Sequence, residues 1–265
     1  MATRLVILGG GRMGEAILGG LLASGWAAPA DLAVVEALAA RRDELEARFP
    51  GVTVSDAPVA ADGLVVAVKP GDVVGACEAA AAAGVGRVLS IAAGVSLATL
   101  EGALGEIPVV RAMPNTPALV GAGAAAIAGG TVAGEADLAW AEEVLGAVGE
   151  VVRVPEHLLD AVTGLSGSGP AYVFLVVEAL IEAGVLAGLP RDVSTALATQ
   201  TLLGSAKLLA SSDEGPEALR AAVTSPGGTT AAGLRVLEGA GVRSAFLEAV
   251  AAAAARSREL GVTGG

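Results

Sequence analysis

The chain has 265 residues, enough for one large or two ordinary domains; 54% are hydrophobic but only 2% aromatic, so Ala and Gly carry much of the apolar count. A balance of 28 acidic to 16 basic residues gives a net charge of −12, which argues against nucleic acid or an anionic membrane surface as a partner. Cys77 is the single cysteine and His157 the single histidine, so an internal disulfide and a Cys/His zinc cluster are excluded.

The opening, MATRLVILGGGRMGEA, lacks the basic start, sustained apolar core and cleavage site of a secretory signal, and a cytoplasmic protein is expected. Leu5-Val6-Ile7-Leu8 is a continuous apolar run, the pattern of a strand buried on both faces of a parallel sheet. Gly9-Gly10-Gly11-Arg12-Met13-Gly14 follows at once, and a helical pattern then runs to Ser24-Gly25. A GxGxxG alone is weak, but between a strand and a helix it reads as a dinucleotide turn. Gly9 would permit the tight turn, Gly11 the approach of backbone to a pyrophosphate, and Gly14 the close packing of helix on strand. The helix N-terminus would offer unpaired N–H groups and a partial positive charge to the phosphates.

A second strand, Leu32–Val35, ends in Glu36, about 20 residues past the last glycine. A carboxylate there can accept both ribose hydroxyls of an adenosine and repels a 2′-phosphate, so Glu36 favours NADH over NADPH. Arg41 and Arg42 are expected on the solvated face of a helix at 37–49, with Glu44 and Arg48 paired at i, i+4; the alternative is that they serve a 2′-phosphate.

The alternation continues with strands at 63–68, 88–91 and Val109–Met113, ending in Lys69-Pro70-Gly71, Ala92-Ala93-Gly94 and Pro114-Asn115-Thr116-Pro117. Asp72 is expected to cap a helix over Val73–Ala83. Small or turn-forming residues at three successive carboxyl ends leave room for a flat cofactor ring, at the edge where open α/β sheets bind ligands. Late strands at 124–128 and 151–154 flank a helix at 135–148, and the domain boundary is placed near Pro155. The expected class is therefore an α/β Rossmann-type domain, doubly wound on a mostly parallel sheet, over 1–154, followed by an all-α domain over 155–265.

That second half carries no strand signal. It centres on 163–188, where Ser166-Gly167-Ser168-Gly169-Pro170 precedes a helix apolar on most faces through Tyr172, Phe174, Leu175, Leu180 and Ile181. Such a helix is expected to be enclosed by protein on several sides. A membrane span is disfavoured, because the uncharged run is short of about 20 apolar residues and Glu178 and Glu182 mark a wetter edge. Gly188-Leu189-Pro190 ends it, Asp192 is expected to cap a helix to Leu209, and helices follow at 216–223, 231–239 and 242–260, with 261–265 frayed.

Between two of these helices lies Thr224-Ser225-Pro226-Gly227-Gly228-Thr229-Thr230. Gly227-Gly228 beside hydroxyls at a helix start reads equally as a nest for a carboxylate, with Ser225, Thr229 and Thr230 as further donors, or as an elaborate N-cap. Conventional catalysts are sparse. Lys69, at the cofactor edge, reads as a phosphate or ribose contact or as a solvated lysine; Arg111 as buried and structural or as near the cleft; His157 as a surface residue, and Cys77 as core. Hydroxyls and amides without a strong acid or base suit hydride transfer from a nicotinamide to an already electrophilic C=N carbon, which needs positioning, a carboxylate anchor and one proton donor. Reducing a ketone usually calls for Lys or His.

Five stretches, GGGRMGEAI (9–17), AVKP (67–70), RAMPNTP (111–117), GLSGSGPAY (164–172) and TSPGGTT (224–230), make the chain resemble the pyrroline-5-carboxylate reductase family over essentially its whole length. The resemblance implies that the helical half is a dimerisation domain, interlocked with a partner subunit so that each active site is completed by a dimer. It also implies further assembly of dimers into larger rings, up to a decamer. By that resemblance Gly9, Gly11, Arg12, Met13 and Gly14 hold the pyrophosphate of NADPH or NADH. Ala67, Val68, Lys69 and Pro70, with Ala92, Ala93 and Gly94, line the cofactor, and Pro114 and Asn115 flank the nicotinamide. Ser225, Gly227, Gly228 and Thr229 anchor the substrate carboxylate, while the Thr230 hydroxyl bonds the ring nitrogen and is the catalytic candidate. Many members carry hydroxyl, Asn or Arg residues where this chain has Glu36-Ala37. A β-hydroxyacid dehydrogenase on the same architecture would place a catalytic Lys on the helix after the glycine-rich stretch, and 173–177 contain none. A non-catalytic dinucleotide-binding regulator is disfavoured by the intact TSPGGTT loop.

Overall fold

In the computed structural model, which describes residues 3–263, the N-terminal part alternates strand and helix. The elements are β1 (Thr3–Leu8), α1 (Arg12–Ala23), β2 (Leu32–Val35), α2 (Ala39–Arg48), β3 (Thr53–Ser55), β4 (Ala61–Val66), α3 (Val73–Ala83), β5 (Val88–Ser90), α4 (Leu97–Leu104), β6 (Val109–Met113), β7 (Gly123–Gly129), α5 (Glu135–Gly146) and β8 (Gly149–Arg153). All eight strands form one sheet in the order β3-β2-β1-β4-β5-β6-β7-β8, with β6 and β7 antiparallel and the other pairs parallel. Strand order reverses between β1 and β4, the switch point at which open α/β sheets bind ligands.

The apolar runs are buried on both faces. Leu5 and Ile7 pack with α1, α2 and α5, through Ile17, Leu21, Leu45 and Trp140. Val6 and Leu8 pack on the other side with α3 and α4, through Val73, Cys77 and Leu100. Each large aliphatic side chain removed from water in this way stabilises by about 1.5–3 kcal/mol.

Several local expectations are corrected. Asp72 occupies the N-cap of α3 but closes a 3-10 turn, Pro70–Asp72, and its side chain makes no capping bond. Glu44 pairs with Arg41 at i, i+3, and Arg48 with Glu15 of α1, because α1 brings a second carboxylate to the same arginines. Two elements went unanticipated. β3 is a three-residue edge strand, too short for any periodicity to register. α4 carries a legible signal: the Ser96 hydroxyl caps Thr99 N at 3.2 Å, and Leu97, Leu100 and Leu104 share the buried face.

The remaining helices are α6 (Leu159–Val162), which runs into a π-helical turn (Thr163–Gly167), then α7 (Gly169–Leu186), α8 (Arg191–Ser211), α9 (Pro216–Ala222), α10 (Thr229–Gly239) and α11 (Val242–Thr263). Packing divides the chain into two units. One holds the sheet through Ser168 together with α11 from Ala251 onward; the other is 169–250. In the first unit α11 docks through Ser257, whose hydroxyl donates to Asp160 Oδ1 at 2.6 Å. In the second, α7 and α8 form a hairpin in which the Ser194 hydroxyl donates to the Ile181 carbonyl at 2.8 Å.

Three expectations about this half change. Asp192 does not cap α8, which begins at Arg191 with Pro190 at the N-cap. Residues 261–263 continue α11, while 264–265 lie outside the described residues. No residue of α7 is buried: Phe174 and Leu175 are 64% and 65% exposed, so this chain alone does not enclose its most apolar helix.

Candidate active site

The turn after β1 is built as its glycines require. Gly9 sits at φ 107°, and a Cβ there would lie 2.7 Å from the Ala67 carbonyl oxygen. A Cβ on Gly14 would lie 2.1 Å from the Gly9 carbonyl oxygen, so only glycine lets α1 start this close to β1. Gly11 is exposed, is the N-cap of α1, and its missing Cβ faces open space. An anion can therefore reach the N–H groups of the first turn, which fits a dinucleotide pyrophosphate.

Glu36 and Arg41 hold this turn from β2 and α2. The Glu36 carboxylate accepts Gly10 N–H at 3.0 Å through Oε2 and Leu38 N–H at 2.9 Å through Oε1. Arg41 Nε donates to the Gly10 carbonyl at 2.9 Å, while its terminal nitrogens pair with Glu44 and Glu15. Arg42 donates to the backbone carbonyls of Glu36 and Ala37, both at 2.8 Å. Of the two arginines expected on a solvated face, Arg41 is thus part of the wall of the turn, and Arg42 braces the loop between β2 and α2.

At the carboxyl edge of the sheet, Met13, Ala67, Val68, Pro70, Ala92, Ala93 and Pro114 line one open cleft of about 200 Å³ together with Ile91 and Met113. Pro70, Ala93 and Gly94 also border a larger cavity of about 500 Å³, closed by Thr163, Ser168 and the α11 residues Ala253, Arg256, Ser257 and Leu260. Of the residues at the three carboxyl ends, Pro70, Ala92, Ala93 and Pro114 line this one opening, whereas Lys69, Gly94 and Asn115 do not. Lys69 is exposed at the start of the Pro70 turn, and Arg12 faces a separate groove on the outer side of α1 with Glu15, Arg48 and Phe49.

Asn115 is committed to structure on both sides of its carboxamide. Oδ1 accepts Ala124 N–H at 2.8 Å and Nδ2 donates to the Ser166 carbonyl at 3.1 Å. Arg111 is structural: it donates to Glu156 Oε1 at 2.8 Å, and the same oxygen accepts Leu97 N–H at 2.7 Å. The π-helical turn passes close to β6, since a Cβ on Gly167 would sit 2.8 Å from the Met113 methyl. Neither the Asn115 clamp nor the π turn was read from sequence; a run of Gly and Ser gave their only signal.

In the second unit, the loop before α10 is shaped by Gly227 at φ 68° and by Gly228 N–H donating to the Ser225 carbonyl at 3.0 Å. α10 starts at Thr229, two residues before the expected start, with Gly228 at the N-cap and no side-chain capping bond. Its first intrahelical bond is Ala232 N–H to the Gly228 carbonyl, so the N–H groups of Thr229, Thr230 and Ala231 point out of the helix without an intrahelical acceptor. Gly228 has no side chain with which to cap, so these N–H groups lie beside the hydroxyl residues Ser225, Thr229 and Thr230 at the helix start.

Comparison with known proteins agrees with these features. The family model described as pyrroline-5-carboxylate reductase dimerisation matches residues 156–260, and that described as NADP oxidoreductase coenzyme F420-dependent matches residues 4–94. The chain is 50% identical to a pyrroline-5-carboxylate reductase of Synechocystis sp., covering 98% of this chain and 99% of that protein. Among solved structures, a pyrroline-5-carboxylate reductase of Coxiella burnetii aligns with a TM-score of 0.92 at 35% identity, covering 98% of this chain and 99% of that one. A Plasmodium falciparum pyrroline carboxylate reductase with NADP bound aligns with a TM-score of 0.82 at 28% identity, covering 98% of each chain.

Proposed function

The chain belongs to the pyrroline-5-carboxylate reductase family, and we infer from that membership that it reduces (S)-1-pyrroline-5-carboxylate to L-proline with NAD(P)H. The 50% identity to a protein of that name, over nearly the full length of both chains, carries the reading. The bound nicotinamide supplies a hydride to the imine carbon, and a proton is added at the ring nitrogen.

The residues of this chain fit that task. The open N–H groups at Gly11 and the first turn of α1, that of Arg12 included, receive the pyrophosphate between Gly9 and Gly14, with Met13 alongside. Ala67, Val68, Lys69, Pro70, Ala92, Ala93 and Gly94 line the cofactor beyond it, and Pro114 and Asn115 flank the nicotinamide ring. Ser225, Gly227, Gly228 and Thr229 hold the substrate carboxylate in the nest before α10, and the Thr230 hydroxyl orients the ring nitrogen and passes it a proton, directly or through water. The uncapped start of α10 supports these roles. The substrate already carries an electrophilic carbon, so positioning substitutes for a strong general acid.

The family match supports dependence on a nicotinamide dinucleotide, and we assign a preference for NADH. Glu36 places a carboxylate beside Gly10, and Arg41 is occupied by Gly10, Glu15 and Glu44 rather than open to a 2′-phosphate. The chain self-associates through its dimerisation domain. We assign that domain to 155–265 and the dinucleotide domain to 1–154, with an interlocked homodimer, rings of dimers up to a decamer, no membrane or nucleic-acid partner, and a cytoplasmic location. The exposed apolar side chains of α7 support the dimer.

One assay tests the central reading. Purified protein is mixed with pyrroline-5-carboxylate and either NADH or NADPH, and loss of nicotinamide absorbance is followed alongside chromatographic detection of proline. Oxidation of neither cofactor by a folded protein would end it.

A further inference from the structure

We propose that Arg41 is a positioning residue for the dinucleotide turn, acting through the Gly10–Gly11 peptide; the inference rests on the nucleotide-binding role assigned to that turn. Arg41 Nε holds the Gly10 carbonyl at 2.9 Å. Every peptide bond in the described chain is trans, so the Gly11 N–H of that same peptide points the opposite way, away from α2. Gly11 N–H bonds to no acceptor among the described residues, and Gly11 is exposed. Gripping the carbonyl therefore fixes the direction of the backbone donor immediately before α1.

The preceding peptide is held as well. Gly10 N–H donates to Glu36 at 3.0 Å, so consecutive peptides of the turn are fixed by side chains of opposite charge arriving from β2 and α2. Gly10 has no side chain of its own to resist rotation, and a Cβ there would meet the Leu45 methyl at 2.4 Å. The glycines give the turn its shape at the expense of rigidity, and Arg41 and Glu36 restore it.

Arg41 has a second task at the same place. Glu15 lies in the first turn of α1, where a carboxylate would oppose an arriving diphosphate, and Arg41 pairs with it. Arg48 pairs with its other oxygen. The turn thus keeps its positive end despite an acid in the first turn.

The test uses the full-length protein and direct binding of NADH, NADPH and ADP-ribose by calorimetry, besides turnover. In Arg41→Met, dissociation constants for all three should rise by a similar factor of about 10, the worth of one charge-assisted hydrogen bond. KM for the imine and kcat at saturating cofactor should stay within about twofold. The double variant Glu15→Gln with Arg41→Met separates aim from charge: weakened binding that persists there is positional, and full recovery would overturn the positional claim. Arg41→Lys can still face Glu15 but cannot span Gly10, Glu15 and Glu44 at once; it should bind about threefold more weakly than wild type, and it decides the matter if Arg41→Met does not fold. Wild-type affinity in a folded Arg41→Met, or in Arg41→Lys in that event, would overturn the proposal. A wild type that binds NADPH more tightly would defeat the NADH preference alone, and ADP-ribose that fails to bind the wild type would defeat the underlying assignment of the turn.

Discussion

Asn115 Nδ2 donates to the Ser166 carbonyl at 3.1 Å, tying the loop after β6 to the π-helical turn 51 residues later, while Oδ1 of the same side chain accepts Ala124 N–H at 2.8 Å. Replacing the amide by an acid keeps the acceptor for Ala124 but turns a donor into an oxygen facing a carbonyl. Asn115→Asp should therefore destabilise by about 1–3 kcal/mol, and Asn115→Ala by a similar amount through two unpaired backbone groups. At about 2–4 °C per kcal/mol, both shifts are visible in thermal unfolding. An unchanged midpoint in both variants would show that the bridge carries no stability.

Thr230→Ala should lower kcat by about 100-fold or more while the dissociation constant for NADH stays within about twofold, because a positioned proton donor contributes on that order. Thr230→Ser should recover most of the loss. Thr230 lies in the first turn of α10, and its side chain makes no hydrogen bond among the described residues. Turnover unchanged in the alanine variant would remove Thr230 from the chemistry.

Two substitutions at Glu36 separate its charge from its hydrogen bond. Glu36→Gln retains an acceptor for Gly10 N–H and loses the charge that opposes a 2′-phosphate. The ratio of kcat/KM for NADPH to that for NADH should rise about tenfold, with NADH affinity little changed. Glu36→Ala should raise the ratio as far but weaken both cofactors, because Gly10 N–H is left unpaired. A ratio that stays at the wild-type value in both would show that specificity is set elsewhere.

Much of this architecture was legible because period and punctuation agree. The run 5–8 followed by Gly9, Gly11 and Gly14 has one compatible geometry, and the chain adopts it. Charge pairing, by contrast, is decided between helices. Pairing Glu44 with Arg48 follows the i, i+4 rule within α2, but Glu15 comes from 26 residues before Arg41 and redistributes the partners. The Asn115 bridge and the Glu36–Gly10 contact join residues 51 and 26 positions apart, and no local pattern encodes them. The apolar character of α7 was legible too, but composition does not say which protein covers it.

Burial pushes the Cys77 thiol up to about 11 from its ordinary 9.0, with the nearby Glu78 adding to the effect. A neutral buried thiol is a poor nucleophile, so Cys77 should resist thiol-specific reagents at pH 8 in the folded protein and react fully in denaturant. The unfolded chain ionises first as pH rises, so stability is lost progressively between about pH 9 and 11, by at most about 2–3 kcal/mol from this group. Cys77→Ala should flatten that part of the pH profile, measured by denaturant midpoints. An equally steep fall in the variant would assign the alkaline instability to other groups.

The apolar side chains of α7 set the last expectation. Phe174 and Leu175 are more than half exposed in the single chain, and Leu186 is 90% exposed. Among the described residues one helical stretch, Glu156–Leu186, is long and apolar enough to cross a membrane by length and composition, so two kinds of cover compete for this face. Membership in a family with a dimerisation domain favours a second copy of the chain. Phe174→Glu with Leu175→Glu should leave each subunit folded, since these side chains face away from the chain's own core, but burying two unpaired carboxylates at an interface is strongly unfavourable. Light scattering on a sizing column should show a species of smaller mass than wild type, and turnover should fall with it under the proposal that a partner subunit completes each site. Wild-type mass in the double variant would place the interface elsewhere. Wild-type protein that requires detergent to stay in solution would point to lipid as the cover instead.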